Sequence, residues 1–231
     1  MRKTHRSPFI DQPAKLSLDW NDPLWSRCAV LNIDCFHSRS SDHRPVTDAR
    51  LFFTPEALHV LFRVQDQYVR SVATKYQDQV SRDSCVELFW QPVEGTGYFN
   101  FEFNCGGVML LYYIEDPKRR GETSFEKFRE VSEIHAREIE ILTTLPEVNP
   151  IEITDPIEWR LAAKIPFRAL EPYVGRIDPA RHAESRANLY KCGSLTSHPH
   201  WASWSDIGEV LNFHQPEKFG SLTVDSARDI P

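Results

Sequence analysis

The 231-residue chain contains no apolar run approaching the roughly 18 residues that a membrane-spanning helix requires. A membrane partner is therefore not expected. Lys/Arg runs longer than three residues are absent too, and the formal net charge is -6, so the basic footprint of a nucleic-acid binder is missing. The five cysteines are odd in number and widely spread, and no CxxC occurs among Cys28, Cys35, Cys85, Cys105 and Cys192. Such spacing suits neither a disulfide framework nor a zinc cluster, and predicts reduced, mostly buried thiols. The opening MRKTHRSPFI has basic residues but no apolar stretch behind them. As written, the expectation is a cytoplasmic protein, with export if the true start lies upstream. Gly-x-Ser-x-Gly elbows, phosphate-binding Gly-rich loops, HExxH helices, internal repeats and low-complexity linkers are also lacking.

What is present is a globular composition, 41% hydrophobic, 26% charged and 12% aromatic, which predicts a single domain over residues 1–231. Asp48 to Gln65 reads as two strands joined at Thr54-Pro55-Glu56, because Leu58, Val60, Phe62 and Val64 alternate with His59 and Arg63. Ser84 to Trp90 and Tyr98 to Asn104 repeat the pattern on either side of a turn at Pro92 to Gly97, and Val108 to Tyr113 follows as another strand. Between Ser124 and Leu142 the signals conflict: Thr123 with Glu126 has the form of a capping box, whereas Glu138 to Ile141 alternates. A loop with at most one helical turn is expected there, then a strand from Arg137. Ile157 to Ile165 reads as a strand ended by Pro166, Phe167 to Leu170 as a helical turn, and Ala187–Lys191, Ala202–Ser205 and Ser221–Val224 as short closing strands. With no sustained amphipathic helix, the fold class is all-β: an antiparallel, jelly-roll-like β-sandwich with short helical turns only.

Several segments resemble, in order, the family 9 carbohydrate-binding modules found attached to some xylanases. They are Trp20 to Val30, the hairpin VTDARLFFTPEALHVLFRVQD (46–66), DSCVELF (83–89), YFNFEFN (98–104) and IEWRLAAKIPF (157–167), closed by Trp204-Ser205-Asp206 and by Pro216 to Leu222 (PEKFGSL). The resemblance implies a β-sandwich that binds a mono- or oligosaccharide between aromatic rings without catalysing a reaction, with a separate glycoside hydrolase as a partner. Glu87 matches a sugar-contacting carboxylate of the family, and Phe213 takes the place of one sandwiching Trp. The other Trp is replaced by Val80, and a basic residue on the next strand by Glu102.

An aromatic ring holds a pyranose through its apolar C–H face while carboxylates and amides meet the hydroxyls. The candidate binding residues are Glu87, Glu102, Trp201, Trp204, Asn212 and Phe213, although Trp204, in the strand-like ASWSD, also suits a core position. Trp25, Trp90 and Trp159 read as core. Two carboxylates on one sheet face also suit a diverged glycoside hydrolase or a carbohydrate-processing accessory protein. His198 and His200 with Cys192 and His214 carry donor types that suit zinc; Asp42, Asp48, Asp66 and Asp83 suit structural calcium; no metal ligand set is assigned. Related sandwiches hold haem through Met and His or Lys, but the only methionines are Met1 and Met109.

Overall fold

The computed structural model describes residues 3–121, 124–179 and 184–225. In chain order these form β1 (Thr4–Ser7), α1 (Pro23–Ser26), β2 (Leu31–Asn32), β3 (Cys35–Phe36), β4 (Val46–Phe53), β5 (Ala57–Asp66), β6 (Val69–Ser71), β7 (Cys85–Gln91) and β8 (Tyr98–Asn104). There follow β9 (Met109–Arg119), β10 (Phe125–Glu130), α2 (Glu133–Ala136), β11 (Glu140–Thr143), β12 (Asn149–Ile153), β13 (Ile157–Pro166), α3 (Glu171–Val174), β14 (Glu184–Cys192), β15 (Trp201–Ser203) and β16 (Gly220–Val224). A large sheet runs β1-β16-β14-β7-β8-β9-β10, with β15 bridging β14 to β3. A second sheet runs β11-β13-β5-β4-β2, and β12 pairs with β6. Pairing is antiparallel apart from β1 beside β16 and an isolated bridge from Phe9 to Phe53. The fold is the expected sandwich with short helices.

The two-residue period of the strands builds the core between these sheets. Leu58, Val60 and Phe62 of β5 face Val86, Leu88 and Trp90 of β7 and Phe99, Phe101 and Phe103 of β8, all fully buried. Met109, available in sequence as a haem ligand, is one more apolar filler of this core, while Met1 lies outside the described residues. The outer face of the second sheet is covered as well. Asp22 caps α1 by accepting a hydrogen bond from the Leu24 amide at 2.9 Å, and α1 delivers Trp25 onto Phe52, with ring centroids 4.7 Å apart. Beneath this cover Phe52 and His59 stack at 4.4 Å.

Two elements differ from expectation. Phe125–Glu130 is a strand rather than a loop, because it pairs with a β9 that runs on through charged residues as far as Arg119. Thr123 of the expected capping box lies outside the described residues, and Glu126 sits in that strand. Ala187–Lys191, expected as a short closing strand, is the middle of the nine-residue strand Glu184–Cys192 at the centre of the large sheet, paired with β7 on one side and with β16 and β15 on the other. Pairing partners distant in the chain extended both elements beyond what their local patterns suggest.

A buried ion pair joins the sheets at one end. Lys191 of β14 points inward, with Nζ 3.3 Å from Asp66 Oδ2 at the end of β5 and both side chains fully buried. Its remaining contacts are the Cys192 carbonyl at 3.1 Å and His200 Nε2 at 2.7 Å. Asp66 also meets His43 Nε2 at 2.8 Å and accepts from Trp159 Nε1 at 3.1 Å. Burial alone would raise the Asp66 carboxyl, but the Lys191 ammonium and the hydrogen bond from His43 hold it well below the usual range.

His59 is the converse case. Both ring nitrogens are buried without a hydrogen-bond partner, and burial, reinforced by Lys164 across the strand pair, lowers its pKa to about 4. The unfolded chain takes up a proton here below about pH 6.5 while the folded chain does not, so this site destabilises the fold as pH falls from neutral towards 4. His59→Leu is expected to shrink the loss of unfolding free energy between pH 8 and pH 5 by about 2 kcal/mol, measured by urea denaturation at both pH values. An unchanged pH dependence would mean that His59 is charged or solvated in the fold.

Candidate functional site

The inward turn of Val86 and Leu88 forces their neighbours onto the opposite face of the large sheet. That face carries Cys85, Glu87 and Phe89 of β7, then Tyr98, Asn100, Glu102 and Asn104 of β8, and Asn188, Tyr190 and Cys192 of β14. Register places Glu87 directly opposite both Glu102 and Tyr190. Residues 205–219 fold over this face and enclose a cavity of about 210 Å³ lined by Glu87, Glu102, Arg119, Trp201, Asn212 and Phe213, among others. Glu102, Arg119, Ser81 and His214 also line an adjoining cavity of about 620 Å³, which reaches Tyr112 and Phe128.

The two acids are nearly inaccessible, 2% exposed for Glu87 and 7% for Glu102. Burial first, then the Cys192 thiol and Glu102, pushes Glu87 well above the carboxylate range. Glu102 is raised by burial and drawn back by a hydrogen bond from Asn100 Nδ2 at 2.9 Å and by the Arg119 charge, which leaves it at about 7. Cys192 Sγ donates to Glu87 Oε1 at 3.1 Å. Around neutral pH Glu87 therefore offers a hydroxyl donor and a carbonyl acceptor, Glu102 beside it is divided between carboxyl and carboxylate, and a guanidinium lies at the cavity edge.

Aromatic surface comes from Phe213, in the segment over the face, and from Trp201 at the start of β15. Phe213 is half-buried, with its ring stacked on Tyr190 at 4.1 Å and an interplanar angle of 12°, and its carbonyl accepts from the Tyr190 hydroxyl at 2.9 Å. Asn212 Oδ1 accepts from the His214 amide at 3.1 Å, which fixes the tip of the loop. Below it His214 Nδ1 lies 2.9 Å from the Tyr98 hydroxyl, and burial, followed by Arg119, keeps this imidazole neutral. Trp201 is anchored through its backbone by Ser40 and His37 and leaves its side chain half-exposed at the cavity.

Five of the six candidate binding residues thus line one cavity. Trp204 does not: it is 5% exposed and belongs to the core between the sheets. The reason is the strand period, since Trp204 continues β15 on the face opposite Ser203 and Ser205. Its ring lies so close to Gly220 that a Cβ there would come within 2.4 Å of it, which accounts for the glycine of the PEKFGSL segment. Val80, the family tryptophan's replacement, is fully buried against Cys85 and Cys192 and presents no surface to the cavity. Arg119 was missed because the strand signal fades after Tyr113, six residues before it.

The other sequence-level candidates disperse. His200 is held by Lys191, and burial, then that ammonium, lowers it to about 3. His198 stacks on Tyr68 at 3.7 Å, and His214 lies 2.9 Å from the Tyr98 hydroxyl; among the described residues the donor atoms that converge on Cys192 are not those of the histidines. Of the four aspartates, Asp42 is exposed, Asp48 binds Arg63 and Asn32, Asp66 binds Lys191, and Asp83 accepts from the Val72 and Ala73 amides and from Asn104. Protein donors already occupy the last three.

A two-sheet sandwich with a polar, aromatic-edged cavity on one outer face is an architecture of sugar-binding modules. The model for the family described as Carbohydrate-binding family 9 matches residues 24–224, and the chain belongs to that family. Among solved structures, a provisionally named carbohydrate-binding protein from Bacteroides uniformis ATCC 8492 superposes with a TM-score of 0.83 at 24% identity, over 97% of this chain and all of that one. A family 9 module from Caldicellulosiruptor kristjanssonii in complex with cellotriose has a TM-score of 0.65 at 13% identity, over 99% and 98% of the two chains. The same organism's module in complex with glucose gives 0.62 at 14%, over 98% of each. No curated protein sequence matches significantly.

The two tryptophans should separate in a stability measurement. Trp204→Ala is expected to cost about 3 to 5 kcal/mol, as a buried indole removed from a core does. Trp201→Ala should cost less than half as much, both read from denaturant midpoints. Equal costs would contradict the placement of Trp201 at the cavity edge.

Proposed function

We propose that this protein binds the end of a short oligosaccharide, or a single pyranose, in the cavity over Glu87 and Glu102, without cleaving it. The observation that carries the reading is the convergence of two facing carboxyl groups, the Arg119 guanidinium, the Asn212 amide and the Trp201 and Phe213 rings on one space of sugar-ring scale. Carboxyl and guanidinium groups meet vicinal hydroxyls in pairs, and the rings cover the C–H faces. The larger adjoining cavity gives further sugar units a path past Tyr112 and Phe128. The glucose and cellotriose held by the family 9 structures make β-glucans the first ligands to test. A separate glycoside hydrolase is the partner class this reading implies.

Calorimetric titration with glucose, cellobiose and cellotriose tests it, with release of free sugar followed in parallel. Phe213→Ala is expected to weaken binding about tenfold, the loss of one aromatic contact. Glu87→Ala and Arg119→Ala should each weaken it by about tenfold or more, because polar partners of the sugar hydroxyls are lost. Normal binding by all three variants would remove the sugar from this cavity. Time-dependent cleavage lost in Glu87→Gln would instead favour the hydrolase reading.

A further inference from the structure

At the floor of the sugar cavity, β7 and β14 bring two thiols that the sugar reading does not use together with Glu87, which it does use. Cys85 and Cys192 are direct partners across the strand pair, and Glu87 lies two residues along β7 on the same face. One ligand atom from each of the three lies within 4.8 Å of the others, all three side chains being buried, and Cys192 Sγ to Glu87 Oε1 is 3.1 Å. We propose that Cys85, Cys192 and Glu87 bind a thiophilic divalent cation of the zinc type.

The geometry suits such an ion. Metal–sulfur bonds of about 2.3 Å in a tetrahedral arrangement place two sulfurs ~3.8 Å apart, within the spread of this cluster. Two thiolates and a carboxylate fill three positions. The fourth faces the cavity, since Cys192 and Glu87 line it and Cys85 lies behind them, covered by Val80. Water or a bound hydroxyl can complete the shell from that side. The softness of the sulfurs excludes calcium and magnesium, which require mostly oxygen ligands. On binding, the cation displaces the two thiol protons and any proton on Glu87, so that a buried cluster of acidic groups becomes one compact unit. Cys28, Cys35 and Cys105 have no cysteine directly opposite in any strand pairing.

Cobalt(II) titration of the full chain, reduced and freed of metal, tests the proposal in the absence of sugar, so that its outcome is independent of the sugar reading. The expected result is about one equivalent bound, with a near-ultraviolet thiolate-to-cobalt charge-transfer band that zinc(II) abolishes. Cys192→Ser and Cys85→Ala should each roughly halve the band per bound cobalt and weaken binding about tenfold or more. Glu87→Gln should weaken binding while retaining the band, and Cys35→Ser should change neither. Circular dichroism establishes that each variant is folded. The proposal is overturned if the parent chain shows no charge-transfer band, a result that needs no variant, or if the band survives unchanged in folded Cys192→Ser or Cys85→Ala.

Discussion

The register between β7 and β8 is the constraint on which the rest of this structure depends. Val86 and Leu88 are locked against Phe101 and Phe103 in the core between the sheets, and a strand has only two faces. Glu87 and Glu102 must therefore share the other face, directly opposed. A slip of one residue would put carboxyls into the apolar core and phenylalanines into the cavity, which makes this register strongly specified. The functional face is thus a by-product of core packing.

The protein handles buried polar groups in two ways. At the end of the sandwich Lys191 and Asp66 form a fully partnered pair: each charge has its counter-charge, Lys191 also donates to His200, and Asp66 accepts from His43 and Trp159. Removing either partner would strand the other, the circumstance in which buried pairs matter most. At the cavity floor, by contrast, two groups of like potential charge face one another, and burial favours their protonated forms. Such an arrangement is not favourable in itself. It persists because the hydrophobic core holds the strands in place, and its polar groups line the cavity, where a ligand can meet them.

The departures from the family pattern have a physical reading in the fold. Val80 sits on the 3-10 turn Val80–Arg82 and fills space over Cys85, so the position where the family resemblance implies an indole seals the sheet instead. The basic residue expected on β8 is replaced by Glu102, and a positive charge is restored by Arg119 from the far end of β9.

The sequence by itself determined the sandwich, the inward residues of β5, β7 and β8, and the placement of Glu87 on the opposite face. These follow from a two-residue period that is local and strong. It also brought Glu102 and Phe213 into consideration through the family resemblance and Asn212 through its place beside Phe213, and although the strand-like ASWSD suited Trp204 to a core position, it kept both Trp201 and Trp204 as candidates. Only the tertiary structure separated them, by setting Trp204 against Gly220 and leaving Trp201 at the cavity edge. Tertiary structure alone also placed Arg119 beside Glu102 and Cys192 opposite Cys85. Those neighbours belong to strands far apart in the chain, and which strands lie side by side is decided by the packing of the whole sheet, not by the pattern within any one of them.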